Sequence, residues 1–145
     1  MYLGVTYMSI RRIMKSKLII ATPQMQLHRA VALLIEHKIS GLPVVDDSNT
    51  IVGVITEADL IRTCAEPHRT FRTVGELMTP NPFMIWVNAP LVDVFDCLMT
   101  HSFRRVLIHD KRKLVGLVSR ADVMPDILQD LLEDLAIAGA QPVMA

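Results

Sequence analysis

Gly53-Val54-Ile55-Thr56-Glu57-Ala58-Asp59 returns 63 residues later as Gly116-Leu117-Val118-Ser119-Arg120-Ala121-Asp122. Each copy is an apolar strand, then a hydroxyl residue, then an aspartate three positions on. Upstream, the two halves correspond at an offset of 64: Met14 falls on Met78, Leu27 on Leu91, Leu34 on Leu98, His37 on His101 and Asp46 on Asp110. One residue is lost in the intervening turn, where Asp47 to Thr50 stand against Lys111 to Lys113. A fixed internal period means two copies of one structural unit. At about 60 residues each, such units are marginal alone and are expected to pack together.

Each half reads in the same order. After a short amphipathic turn around Ile10 and Ile13, Leu18 to Ile20 predict a strand. Leu27, Ala30, Val31, Leu34 and Ile35 then recur at the spacing of one buried helical face, as do Leu91, Val94, Phe95, Leu98 and Met99 in the second half. Pro43 to Val45 and Ile51 to Ile55 predict a hairpin, with Asp46-Asp47-Ser48-Asn49 as its tight turn, because short polar side chains hydrogen-bond nearby backbone. Thr56 to about Cys64 follows as a second helix. The second half has strands at Val106 to Ile108 and Leu114 to Val118, and a final helix with Ile127, Leu128, Leu131, Leu132 and Leu135 as its apolar positions. Pro125 is expected to interrupt or kink the start of that helix. A polar linker at residues 65–72 separates repeats at residues 9–64 and 73–137. The β-α-β-β-α order of each repeat makes the fold class α/β (α+β), two small sheets with helices.

Fifteen basic and fifteen acidic residues leave no net charge, which counts against a general nucleic-acid or membrane-surface protein. No apolar run approaches the roughly 20 residues that span a bilayer. The N-terminal apolar stretch precedes Arg11 and Arg12, the reverse of a signal peptide. Cys64 and Cys97 have no metal-ligand spacing and are expected to be reduced thiols, as in a cytoplasmic protein. The histidines show no metal spacing either, and His37 and His101 suit helix ends, where exposed carbonyls accept from a donor. With neither a nucleophile–base–acid set nor a P-loop-type glycine loop in view, a non-enzymatic role is expected. At 51%, the apolar share exceeds one small core's needs and points to a subunit interface.

The repeated hydroxyl–aspartate pairs have two readings. Thr56 and Ser119 suit helix N-caps, and Asp59 and Asp122 then fall in the first turn, where a carboxylate is favoured. Capping alone accounts for each pair. The same groups can also hold a nucleotide: a carboxylate accepts from ribose hydroxyls, and a hydroxyl beside helix-end N–H groups receives phosphate.

The Gly-x-hydrophobic-Thr/Ser-x-x-Asp signature, with Ile39-Ser40-Gly41-Leu42-Pro43-Val44-Val45-Asp46 and Met78-Thr79-Pro80-Asn81-Pro82, resembles the CBS-domain pair, or Bateman module. The resemblance covers roughly residues 9 to 137. It implies tandem CBS motifs packed sheet to sheet about a pseudo-twofold axis, with two clefts that take adenosine-containing ligands such as AMP, ADP, ATP or S-adenosylmethionine. In one implied cleft Asp122 holds the ribose and Ser119 the phosphate, with the base received near Leu18, Ile19, Ile39, Ser40, Gly41 and Pro43. In the other, Asp59 and Thr56 take those roles, walled by Thr79, Pro82, Phe83, Phe103 and Arg105. The second repeat departs from the pattern: Leu107 replaces the proline matched by Pro43, and Arg104-Arg105 replace Ser40-Gly41. Those arginines suit phosphate, or they fill the cleft, or they pair with surface acids. The resemblance further implies a homodimer and a regulatory ligand in place of a cofactor, signalling to a protein partner by conformational change. Two rival readings stand beside it: a dimerisation scaffold with vestigial clefts, and a nucleic-acid-binding regulator.

Overall fold

The computed structural model describes residues 9–101 and 104–139. Strand β2 (Ile51–Thr56) buries Ile51, Gly53 and Ile55 on one side and leaves Val52, Val54 and Thr56 half-exposed on the other. This is the period of two that a half-buried strand imposes. β2 pairs antiparallel with β1 (Gly41–Val45), placing Gly41 opposite Thr56. The second repeat repeats the hairpin: β5 (Arg105–Asp110) lies antiparallel to β6 (Lys113–Ser119), with Arg105 opposite Ser119. Both pairs carry a register shift at equivalent positions, between Val44 and Val45 and between Ile108 and His109.

Each sheet is completed by chain from the opposite repeat or its flank. β3 (Thr79–Pro80), at the start of repeat two, pairs antiparallel with β2 of repeat one. Reciprocally, Lys15 bridges Leu117 of β6. The remaining edges come from within the repeat: β4 (Met84–Trp86) runs parallel to β5, and Ala21 forms the equivalent single bridge to Val44. The strand expected at Leu18 to Ile20 is therefore corrected to this one bridge, made by Ala21 N–H to the Pro43 carbonyl and Val45 N–H to the Ala21 carbonyl. Pro23, two residues on, has no N–H with which to extend a ladder. In the second repeat the same site is a three-residue strand ending at Trp86, which stands opposite His109 and is half-exposed.

Four helices of the short and long kinds follow the expected order: α1 (Ile10–Ile13), α2 (Leu27–His37), α3 (Glu57–Arg62) and α4 (Val74–Leu77). α5 (Leu91–Thr100) and α6 (Arg120–Ile137) complete the chain. α2 buries Leu27, Ala30, Leu33 and Leu34, whereas Val31 and Ile35, expected on its buried face, are exposed. Met99 likewise faces outward from α5. An apolar stripe broader than one core contact leaves its margin outside. α6 is continuous through Pro125, which removes the one hydrogen bond its missing N–H would have made to the preceding turn. α3 stops at Arg62, before the expected end near Cys64, and runs into a 3-10 turn at Thr63–Ala65; the expected linker holds a second, Arg69–Phe71, and its Arg72 pairs with Glu66 and, beyond the linker, Glu76.

Three cores result. Leu42, Val44, Ile55, Leu34 and Val74 belong to one, and Ile10, Ile85, Leu91, Ile108 and Val118 to another. Val74 and Ile10 thus each lie in the core of the other half, fully buried. The third, Val45, Ile51, Leu107 and Leu114, joins the two sheets. At the hairpin end the repeats are also tied by a reciprocal pair of backbone bonds: Ile51 N–H donates to the Arg112 carbonyl (2.9 Å) and Leu114 N–H to the Asn49 carbonyl (3.1 Å).

Candidate ligand cleft

Thr56 ends β2 in extended conformation and caps α3. Its N–H and hydroxyl both donate to Asp59 Oδ2 (2.9 and 3.0 Å), and Asp59 N–H donates back to Thr56 Oγ1 at 3.3 Å. Arg62 Nη1 donates to the other carboxylate oxygen, Oδ1, at 2.8 Å. Ser119 and Asp122 repeat the box at the start of α6, with Ser119 N–H to Asp122 Oδ2 at 2.8 Å and Asp122 N–H to Ser119 Oγ at 3.3 Å. Here Lys15 Nζ lies 3.4 Å from Asp122 Oδ1. Capping is therefore a role of both pairs, each aspartate closing the first turn of its helix.

Beside Thr56 a cavity of about 740 Å³ opens at the end of the sheets opposite the interlocked hairpin turns. The starts of β1 (Ser40 to Pro43) and β5 (Arg105 to Leu107), with Arg104 before it, form two of its walls. Thr79, Asn81, Pro82 and Phe83 form a third, and Val54, Leu117 and the first turn of α3 close it. Two arginines and Glu57 are its charged lining, so the cavity carries one net positive charge. Arg105 reaches across to the other repeat: Nη1 donates to the Gly41 carbonyl at 3.4 Å and Nη2 to Ser40 Oγ at 3.3 Å. These are long contacts, past the usual N–H···O range.

The family model described as CBS domain matches residues 10–66 and again residues 74–128. The chain belongs to the CBS domain family. The chloroplastic CBS domain-containing protein CBSX2 of Arabidopsis thaliana is 30% identical over 144 residues, covering 79% of this chain and 60% of that protein. The chain thus spans about 60% of the length of the first curated relatives it matches. The crystal structure of CBSX2 in complex with AMP is similar with a TM-score of 0.74 at 31% identity, covering 85% of this chain and 98% of that one. The CBS domain pair of protein MJ0100, solved with 5′-methylthioadenosine and S-adenosyl-L-methionine, gives 0.71 at 26% identity, covering 85% and 98%. Hypoxic Response Protein I, solved with two coordinated zinc ions, gives 0.72 at 26% identity, covering 81% and 98%. Among the described residues of this chain no group of three or more His, Cys, Asp or Glu is arranged to hold a metal ion.

Within this CBS pair the cavity brings together Ser40, Gly41, Pro43, Thr56, Thr79, Pro82, Phe83, Arg104 and Arg105. It mixes residues that the family resemblance distributes over two clefts, because Gly41 is the β-sheet partner of Thr56 and faces the same opening. Asp59 lies behind Thr56 and does not line it. Ser119 and Asp122 stand outside it, as do Leu18, half-buried between the sheets, and Ile19 and Ile39, half-buried against the first core. Phe103 falls outside the described residues. Val54, Leu117, Val106 and Asn81 line the cavity without having been singled out from sequence. The signal for Val54 was available: it shares the outward face of β2 with Thr56, two residues on.

Proposed function

We propose that this chain is a stand-alone regulatory module that takes an adenosine-containing nucleotide, AMP, ADP or ATP in preference to S-adenosylmethionine, in its inter-repeat cleft. The observation that carries the reading is the cavity of about 740 Å³ with Arg104 and Arg105 in its lining. Its volume is within the 300–1,000 Å³ usual for small-molecule sites. The walls are mostly apolar around strand ends, which suits a base, and the net positive charge suits phosphate rather than a sulfonium cation. AMP in CBSX2 and the adenosyl ligands of MJ0100 support the ligand class.

Arg105 couples binding to shape. It joins the repeats at the cleft end through Ser40 and Gly41, while the backbone bonds of the turns join them at the far end. A phosphate that draws the guanidinium into a bidentate contact releases these two bonds to repeat one, while the exchanged segments and the turns still hold the repeats together. The ligand then favours whichever arrangement it binds more tightly, and only to that extent. The altered surface signals to a protein partner, so the role is regulatory rather than catalytic and the nucleotide is an effector, not a cofactor. The module acts as a homodimer through its exposed helical faces. We assign it to the cytoplasm on the cysteines, since Cys64 and Cys97 are both free thiols.

Calorimetric titration with AMP, ADP, ATP, NAD(H), adenosine and S-adenosylmethionine tests the reading. Heat and a raised melting temperature with the phosphorylated ligands are expected; silence across the panel returns the chain to a scaffold role, and a salt-dependent mobility shift with DNA to a nucleic-acid regulator. Asp122→Ala separates capping from ribose contact in the cleft that the family resemblance assigns to Asp122 and Ser119. Loss of the cap lowers stability by about 0.5–2 kcal/mol, whereas a ribose contact adds a further loss of about tenfold in nucleotide affinity at a temperature where the variant is folded.

A further inference from the structure

We infer that Glu57 sets the phosphate count of the cleft, admitting a nucleoside monophosphate and turning away the di- and triphosphate. This rests on the nucleotide reading above and narrows it to one ligand class. Arg104, Arg105 and Glu57 are the charged residues of the cavity lining, and none of them forms an ion pair among the described residues. Glu57 stands at the arginine end of the opening. Its N–H donates to the Ser40 carbonyl at 2.9 Å, and Arg105 Nη2 donates to the hydroxyl of the same Ser40 at 3.3 Å. Thr56, the residue before it, is the strand partner of Gly41, whose carbonyl accepts from the other Arg105 nitrogen. Glu57 and Ile61 also line a groove of about 560 Å³ between α2 and α3, so they form the ridge at which the cleft ends.

The second repeat shows that the fold does not require an acid at this place. Its counterpart 63 residues on is Arg120, whose N–H donates to the Arg104 carbonyl at 3.4 Å as that of Glu57 does to Ser40. The Arg120 guanidinium turns to the Leu98 carbonyl, 3.0 Å away, and Arg120 does not line the cavity. Glu57 thus lowers the charge of the cleft to one net positive where its counterpart is a cation. A phosphate monoester carries about −1.5 to −2 at pH 7, which two guanidinium groups match. Each further phosphate brings charge for which the lining has no third cation, beside the exposed Glu57. Like charge placed against the wrong ligand is the repulsive half of specificity. An acid in a first helical turn is also favoured by its own helix, but that effect is blind to the length of a phosphate chain.

Calorimetry of adenosine, AMP, ADP and ATP on the full chain tests this, in EDTA and again in magnesium, with Glu57→Gln and Glu57→Arg beside the native protein. The native chain is expected to bind AMP about tenfold more tightly than ATP, with ADP between them. Glu57→Gln narrows that margin and Glu57→Arg reverses it, while adenosine binds all three proteins alike and so controls for folding and for the base pocket. On the native chain alone, added salt is expected to narrow the margin, because it screens the repulsion. ATP bound as tightly as AMP by the native chain, a margin indifferent to Glu57→Arg, or one that widens with salt overturns the inference and leaves the nucleotide reading standing. ATP brought level with AMP by magnesium, and weakened again by Glu57→Gln, makes Glu57 a metal ligand and overturns it too. A chain that binds none of the four ligands overturns the inference and the nucleotide reading together.

Discussion

A Cβ added at Gly116 would stand 2.5 Å from the Met14 sulfur, and one at Gly53 2.5 Å from that of Met78 and 2.9 Å from the Thr79 carbonyl. The recurring glycines therefore owe their place to a methionine that crosses the sheet in each half. At Gly116 only a flexible side chain is in the way, but at Gly53 the obstacle includes backbone. Gly53→Ala is accordingly expected to cost about 1–3 kcal/mol, the usual range for overpacking. Gly116→Ala should cost less, and urea midpoints at unchanged slope measure both. The hydroxyl–aspartate pairs show the limit of reading residues singly. Their spacing predicts a cap and a nucleotide contact equally, and only the fold reveals that Asp59 is already committed to Thr56 and Arg62.

At the scale of elements, the two hairpin turns solve one problem differently. Asn49 alone has positive φ in the first turn, whereas Lys111 and Arg112, at φ 50° and 67°, both do in the second. Consecutive left-handed residues are the geometry of a tight hairpin that favours Asn-Gly. A non-glycine residue there costs roughly 1–2 kcal/mol. Lys111→Asn with Arg112→Gly is thus expected to raise stability by about 1 kcal/mol, read as a higher melting temperature. The bond from Ile51 N–H to the residue 112 carbonyl is backbone and survives the change. Both hairpins and the long helices were legible because their patterning lies within one short stretch of chain. β3 and β4 were not, since strands of two and three residues carry too little alternation to register. The outward turn of Val31, Ile35 and Met99 was hidden for a different reason: an apolar margin reads alike whether it meets the protein's own core or another surface.

For the whole molecule, the period announces two halves but is silent on their exchange of segments, because a repeat has the same sequence whichever sheet its first residues join. Ile10, at the start of repeat one, is fully buried in the core of repeat two. Ile10→Ala is expected to cost about 2–5 kcal/mol. Hydrogen exchange should show the loss first in β5 and β6, not in β1 and β2; the opposite order would mean that the halves do not share segments in solution. The same exchange ties the halves together, with backbone bonds joining the turns at one end and Arg105 linking the repeats at the cleft. The cleft brings together residues that the family resemblance assigns to two sites, because Gly41 and Arg105, one from each repeat, line the same opening. The most direct test of this account is calorimetry of AMP and adenosine against the native chain and Arg105→Ala. The account predicts that AMP binds the native chain at least tenfold, about 1.4 kcal/mol, more tightly than adenosine, and that Arg105→Ala abolishes this margin while leaving adenosine unchanged. Equal affinity for AMP and adenosine in the native chain, or a margin that survives Arg105→Ala, would contradict it.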